Sequence, residues 1–143
     1  MPIVPYMIFN GNCREAVDYY AEVFGTGAPE IMKYGDMQPG EGYELPEDAK
    51  DLVMHTALNI YGSEVMFSDG MPGSSVHFGR NINLTIVSDE LDKMTNEFNR
   101  LAQDGKIVME LQKTFWSPSY GALTDKFGID WQFSYDDGSY TKS

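Results

Sequence analysis

The chain has 143 residues, enough for one domain or for two very small halves sharing a core, and at 42% hydrophobic and 13% aromatic it has ample material for burial. Its 22 acids against 10 bases give a formal charge of −12, which argues against nucleic acid and anionic membrane surfaces, since both need basic patches. No stretch approaches the roughly 18 apolar residues of a membrane span, and Met1-Pro-Ile-Val lacks the basic start of a signal peptide, so a soluble cytoplasmic protein is expected. The single cysteine, Cys13, cannot form an internal disulfide, which agrees with a reducing compartment.

Taken in order, Ile3 to Phe9 is apolar and β-prone and is expected as the first strand, ended by the turn chemistry of Asn10-Gly-Asn12. Asn12 is a candidate N-cap with Glu15 three residues on, and Ala16, Val17, Tyr20, Val23 and Phe24 recur at helical spacing, predicting a helix over 13–24 closed by Gly25. Glu30 to Tyr34 reads as a short strand. The stretch 35–51 holds three glycines, two prolines and six acids, the mark of a long mobile loop, with a length that also suits a lid. Leu52 to Tyr61 and Glu64 to Ser68 are strand-like, with Gly62-Ser63 as their hairpin turn. Asp69 to Gly79 looks like a linker.

Asn81 to Val87 then alternates Asn81, Asn83 and Thr85 against Ile82, Leu84 and Ile86, predicting a strand buried on one side. Leu91, Met94, Phe98 and Leu101 predict a second helix over about 90–103, with Asp89 as its cap and Gly105 past its end. Lys106 to Leu111 is a strand. The aromatic-rich runs on either side of Asp125-Lys-Phe-Gly128 supply two more, the glycine taking the positive φ of a tight turn and the aspartate bonding its backbone. In the last strand Ile129, Trp131 and Phe133 alternate with Asp130, Gln132 and Ser134, giving one apolar and one polar face.

The order strand, helix, strand, strand, strand therefore occurs twice, over about 2–68 and 81–135, with a linker at 69–80 and a tail at 136–143. The expected fold is α+β: two βαβββ modules in one domain, sharing a core and forming a cup-shaped, curved mixed sheet with the helices outside.

That duplication, together with Pro5-Tyr6, Phe9-Asn-Gly-Asn-Cys13, Tyr34-Gly-Asp36, Met54-His55, Met66-Phe-Ser-Asp69, Pro72-Gly73, Thr114-Phe-Trp116, Tyr120-Gly121 and Asp125-Lys-Phe-Gly128 before Trp131, resembles the vicinal oxygen chelate superfamily (glyoxalase/bleomycin resistance/dioxygenase), and within it the PhnB-like subgroup. The resemblance implies a cup, often completed in a homodimer, that holds a small molecule or a metal. Metal-using relatives place a histidine on the first strand of each module and a glutamate on the last strand of the second. The corresponding positions here are Pro5 or Tyr6, Asn81 or Asn83, and Gln132, none a strong ligand for a divalent ion. No metal or other cofactor is expected. Some members carry a methyltransferase label, but no strand–glycine-loop motif for a methyl-donor cofactor is visible.

The polar positions left on the cup are the candidate site. His55 shares a strand face with Val53, Ala57 and Asn59 and is the candidate general base, its plainer role being a hydrogen-bonded strand histidine. Asp130 is a second acid–base candidate. Tyr6, Phe115, Trp116 and Tyr120 are expected as apolar ligand contacts, with Asn81, Asn83 and Gln132 as amide anchors. Ser117-Pro118 breaks the strand between Trp116 and Tyr120, and one of those two rings is expected in the core. His77 is a loop histidine, and Cys13 an inert residue at a helix start despite the local dipole. The favoured reading is a PhnB-like protein binding a small, partly apolar molecule without the usual metal site. The alternative is a metal-dependent lyase, isomerase, dioxygenase or thiol transferase with an ion on His55 and Glu64 or Asp69. A dimeric scaffold is the third reading.

Overall fold

The computed structural model describes residues 2–36, 45–71 and 74–139. The expected acidic loop lies partly outside them, as do Pro72, Gly73 and the end of the tail. The chain divides into two compact units, Met1–His77 and Phe78–Ser143, with the boundary inside the expected linker.

The first unit contains β1 (Tyr6–Phe9), α1 (Cys13–Phe24), β2 (Met32–Lys33), β3 (Val53–Ile60) and β4 (Ser63–Asp69). Its sheet order is β1-β4-β3-β2, with β1 parallel to β4 and the other pairs antiparallel. The second unit repeats the plan with β5 (Leu84–Ser88), α2 (Leu91–Asp104), β6 (Lys106–Gln112), β7 (Tyr120–Thr124) and β8 (Asp130–Tyr135), in the order β5-β8-β7-β6. The fold is thus α+β, two βαβββ modules each built on a mixed four-stranded sheet.

Each helix covers one sheet face. In the first unit Ala16, Val17 and Tyr20 are fully buried, and the Tyr20 and Phe9 rings stack on Phe67 of β4. In the second, Met94, Phe98 and Leu101 are buried, and Phe98 meets Phe133 edge to face with centroids 5.5 Å apart. Trp131 and Phe133 therefore lie on the helix-covered side, as the alternation in the last strand requires. Such burial is the main stabilising contribution, about 1.5–3 kcal/mol for each large apolar side chain.

Several boundaries differ from the sequence reading. The first strand starts at Tyr6, because Pro5 has no N–H to donate and Ile3 is fully exposed. β5 starts at Leu84, paired with Trp131, and since β8 begins only at Asp130, positions 81 and 82 have no β8 residue opposite them. The β3–β4 turn is Tyr61-Gly62 rather than Gly62-Ser63, with both residues at positive φ and the Gly62 N–H donating to Asn59 Oδ1 at 2.9 Å. The ends of the 35–51 stretch are tied together by Tyr34 N–H to Leu52 O and Gly35 N–H to Lys50 O.

Capping also differs. Asn12 makes no side-chain cap to α1; the N–H of Cys13 donates instead to Asp69 Oδ1 at 2.9 Å, and the other carboxylate oxygen accepts from Val53 N–H at 3.0 Å. One buried aspartate at the end of β4 thereby serves both the helix start and the start of β3. Gly25 closes α1 in the left-handed conformation with φ 64°, as expected. Gly105 after α2 has an ordinary φ of −114°, and is needed for space: a Cβ there would run into the backbone of Thr124 and Asp125. Gly105→Ala is expected to lose about 1–3 kcal/mol of stability by overpacking against rigid backbone, read as a lowered urea midpoint with an unchanged slope.

Candidate functional site

In each sheet the face away from the helix is the one open to a ligand. On the first unit it carries Tyr6 and Ile8 from β1, Met66 and Ser68 from β4, and His55 and Ala57 from β3, with Met32 of β2 at its edge. Tyr6 and Ile8 are each 46% exposed. The register sets Tyr6 opposite Met66 and Met66 opposite Ala57, so Tyr6 reaches diagonally over β4 to His55, with Oη 3.2 Å from Nδ1 and ring centroids 5.7 Å apart. With the phenol as donor, Nδ1 accepts and Nε2 carries the imidazole proton, leaving a donor for a bound molecule. Tyr6→Phe removes this orienting bond at an exposed site. We expect stability to change by no more than about 0.5 kcal/mol, while the ¹⁵N signals of the His55 ring shift in NMR.

On the second unit the open face carries Thr85 and Val87 from β5, Gln132 and Ser134 from β8, and Tyr120 and Ala122 from β7. Thr85 Oγ1 donates to Gln132 Oε1 at 3.3 Å. At its margin Trp116 packs edge to face on Tyr120 at 5.1 Å and on Phe115 at 4.7 Å. Phe115 is 89% and Trp116 47% exposed, and Tyr120 is half-buried, so neither Trp116 nor Tyr120 enters the core as one of them was expected to do. The cause is Ser117, which is fully buried: its hydroxyl donates to Tyr135 O at 2.7 Å and accepts Ser119 N–H at 3.1 Å, holding the flanking aromatics outward. Burial pushes the Tyr120 phenol above its ordinary range.

Overlaying the two registers, with Phe67 set on Phe133, makes Thr85 the counterpart of Tyr6, Gln132 that of Met66, and Tyr120 that of His55. Thr85 thus holds the place expected for Asn81 or Asn83, which lie ahead of β5 on exposed chain. Thr85 belonged to the same polar alternation, so the signal for it was in the sequence. Of the six overlaid side chains only His55 is a good ligand for a divalent ion; Tyr6 and Met66 beside it on the first unit offer a phenol and a thioether, and Thr85, Gln132 and Tyr120 on the second a hydroxyl, an amide and a phenol, so neither set fits such an ion.

The relocated ligand set is not assembled either. Glu64 pairs with Asn59, four residues along β4 from Ser68, the position opposite His55. Asp69 lies on the helix side, 2% exposed, with both oxygens engaged. Among the described residues no three His, Cys, Asp or Glu side chains form a metal-holding group. Asp130, the second acid–base candidate, is 7% exposed and held by Arg80 Nε at 2.7 Å and by Thr124 Oγ1 at 2.6 Å. It is a structural pin. His77 is exposed in its loop. The Cys13 thiol is fully buried and pushed up to about 12, first by burial and then by the Asp69 charge, so the helix dipole does not activate it. No helix among the described residues is long and apolar enough to cross a membrane.

Comparison with known proteins agrees with this geometry. The chain is 32% identical over 143 residues to Protein YjdN of Escherichia coli K12, covering 94% of this chain and 95% of that protein. Protein PA1353 from Pseudomonas aeruginosa is 34% identical, with a TM-score of 0.79 and coverage of 94% and 97%. A putative 3-demethylubiquinone-9 3-methyltransferase, PhnB protein, from Bacillus cereus is 26% identical, with a TM-score of 0.72 and coverage of 94% and 99%. The fold alone is shared with a glyoxylase/bleomycin resistance protein/dioxygenase domain from Frankia sp., at 11% identity, a TM-score of 0.59 and coverage of 94% and 95%. The family model described as 3-demethylubiquinone-9 3-methyltransferase matches residues 1–134. With nearly its whole length matched, the chain belongs to this PhnB-like family, and its paired modules share the fold of the glyoxylase/bleomycin resistance protein/dioxygenase domain.

Proposed function

We propose that the chain binds a small, partly apolar molecule on its uncovered sheet faces, without the divalent-metal site usual in its superfamily. The observation that carries this reading is the Tyr6–His55 pair, a hydrogen-bonded polar anchor set among exposed Ile8 and Met32 and half-buried Met66. An oriented donor on an apolar surface is the makeup of a small-molecule site. The second unit's open face has its own makeup of this kind, with Phe115, Trp116 and Tyr120 as stacking area and Gln132 with Thr85 as a polar anchor. His55 would act as the acid–base group if a reaction follows binding.

The methyltransferase wording describes the family. Here the start of α1, where a strand–loop–helix unit would receive an anionic cofactor group, is filled by the Asp69 carboxylate. We propose no metal or organic cofactor, no nucleic-acid or membrane partner, and a cytoplasmic homodimer. The exposed apolar side chains of Ile107, Val108 and Met109 on the edge strand β6 support self-association.

The test is a fluorescence screen with aromatic and amphiphilic compounds. A ligand of the first unit's face is expected to lose about tenfold in affinity in His55→Ala, the loss of one desolvated hydrogen bond, and a ligand of the second unit's face to change Trp116 emission. Hits that bind His55→Ala and Trp116→Phe as tightly as the unmodified protein would overturn the reading.

A further inference from the structure

The outer edge of β3 is only partly covered. β2 pairs with it at His55 and Val53 and extends no further, so Thr56 to Ile60 have no strand partner on that side among the described residues. The hairpin fixes which backbone groups are left. Ile60 and Ser63 flank a two-residue turn and form a hydrogen-bonded pair, so Leu58 and Thr56 bond inward to β4, while Ala57 and Asn59 aim their N–H and C=O outward.

A groove of about 690 Å³ runs along this edge, walled by the chain from Thr26 to Met32 and by Asp36. Thr56 Oγ1 ties the wall at one point by donating to Glu30 O at 2.7 Å. Within the wall Pro29 has no N–H with which to pair with β3, which keeps the slot from closing as a regular strand. Ala28, Pro29, Ile31, Met32, Ala57 and Leu58 make the lining largely apolar. Its charged side chains are Glu30 and Asp36, with no lysine or arginine among them, in a chain of net charge −12.

We infer that this slot docks an extended peptide segment bearing lysine or arginine, which adds as a strand beside Ala57–Asn59. An unpaired strand edge selects a peptide backbone because it presents donors and acceptors at strand spacing. The apolar floor takes alternate side chains of the added strand. The two acids select cationic side chains for the remainder, an attraction that salt weakens. The groove adjoins the Tyr6–His55 face, with His55, Met32 and Ala57 lining both, but the added strand is held by the backbone edge at Ala57–Asn59, so a failed peptide titration leaves the small-molecule reading standing.

The probe is a dye-labelled, acetylated hexapeptide alternating valine and lysine, titrated into the full chain and followed by fluorescence anisotropy. Three comparisons accompany it: a pair of peptides N-methylated on one or the other set of alternate amides, the valine–glutamate peptide, and the Glu30→Gln/Asp36→Asn variant. Saturable binding of the lysine peptide is expected, weakened about tenfold or more by N-methylation in one of the two registers, since about two net hydrogen bonds are lost. The glutamate peptide should not bind, and the double variant should bind more weakly with a flatter salt dependence. Hydrogen exchange should slow at the Ala57 and Asn59 amides. No saturable binding, equal binding of both N-methylated peptides, or an unchanged double variant would each overturn the inference. These substitutions are on exposed side chains, and the N-methylated peptides leave the protein untouched, so folding does not confound the result.

Discussion

Asp125→Ala is expected to lose about 3–5 kcal/mol of folding stability, because one buried carboxylate serves three donors. Asp125 is 4% exposed and accepts from Phe127 N–H at 2.8 Å, Ile129 N–H at 3.0 Å and the Trp131 indole N–H at 2.8 Å. Gly128, at φ 88°, completes the turn by donating its N–H to Asp125 O. Removing the carboxylate strands the indole donor of a residue only 2% exposed, and frees the turn that sets the β7–β8 register. Since Gln132 owes its face to that register, a slipped turn would also move it to the core side. Urea unfolding followed by tryptophan emission measures the loss. Asp125→Asn, which keeps one acceptor oxygen, should lose about half as much; a loss below about 1 kcal/mol in the alanine variant would mean that the turn stands without its aspartate.

Asp69→Ala should lose about 2–4 kcal/mol, since it leaves the N–H groups of Cys13 and Val53 unbonded at a site sealed from water. The same variant bears on Cys13. Its thiol stands at about 12, raised chiefly by burial, with the Asp69 charge second, so removing Asp69 should lower it while keeping it above the ordinary range. The sign for stability follows. The folded value lies above the unfolded one of about 8.5, so the contribution of the protonated thiol is fully present below that pH. It is lost progressively as pH rises toward about 12. Unfolding free energies of the unmodified protein minus those of Cys13→Ala should therefore fall from about pH 8.5 upward, by up to about 1.4 kcal/mol per pH unit. A flat difference would contradict the buried, unreactive thiol.

What could be read in the sequence was local. The limits of α1 are legible because Asn10-Gly-Asn12 and Gly25 punctuate a helical repeat, and the β7–β8 turn because aspartate and glycine sit where such a turn needs them. The alternation of the last strand placed Trp131 and Phe133 inside and Gln132 outside. What escaped depends on residues far apart in the chain. Asp69 caps a helix 56 positions away, and Tyr6 meets His55 across 49 positions through the parallel pairing of β1 with β4. No spacing rule reports either. Asn81 and Asn83 were placed on a strand by their alternation with apolar residues, but alternation does not say where the partner strand begins. The outward set of Phe115 and Trp116 follows from the buried hydroxyl of Ser117, a residue that reads locally as part of a strand break.

The central claim is a site for a small, partly apolar molecule in place of a superfamily metal centre. Native mass spectrometry of the protein as purified, before and after a chelator, tests it most directly. The account predicts a small organic adduct at the stoichiometry of the chain, unaffected by the chelator and diminished in His55→Ala. A stoichiometric divalent ion that the chelator strips, with no organic adduct, would contradict it.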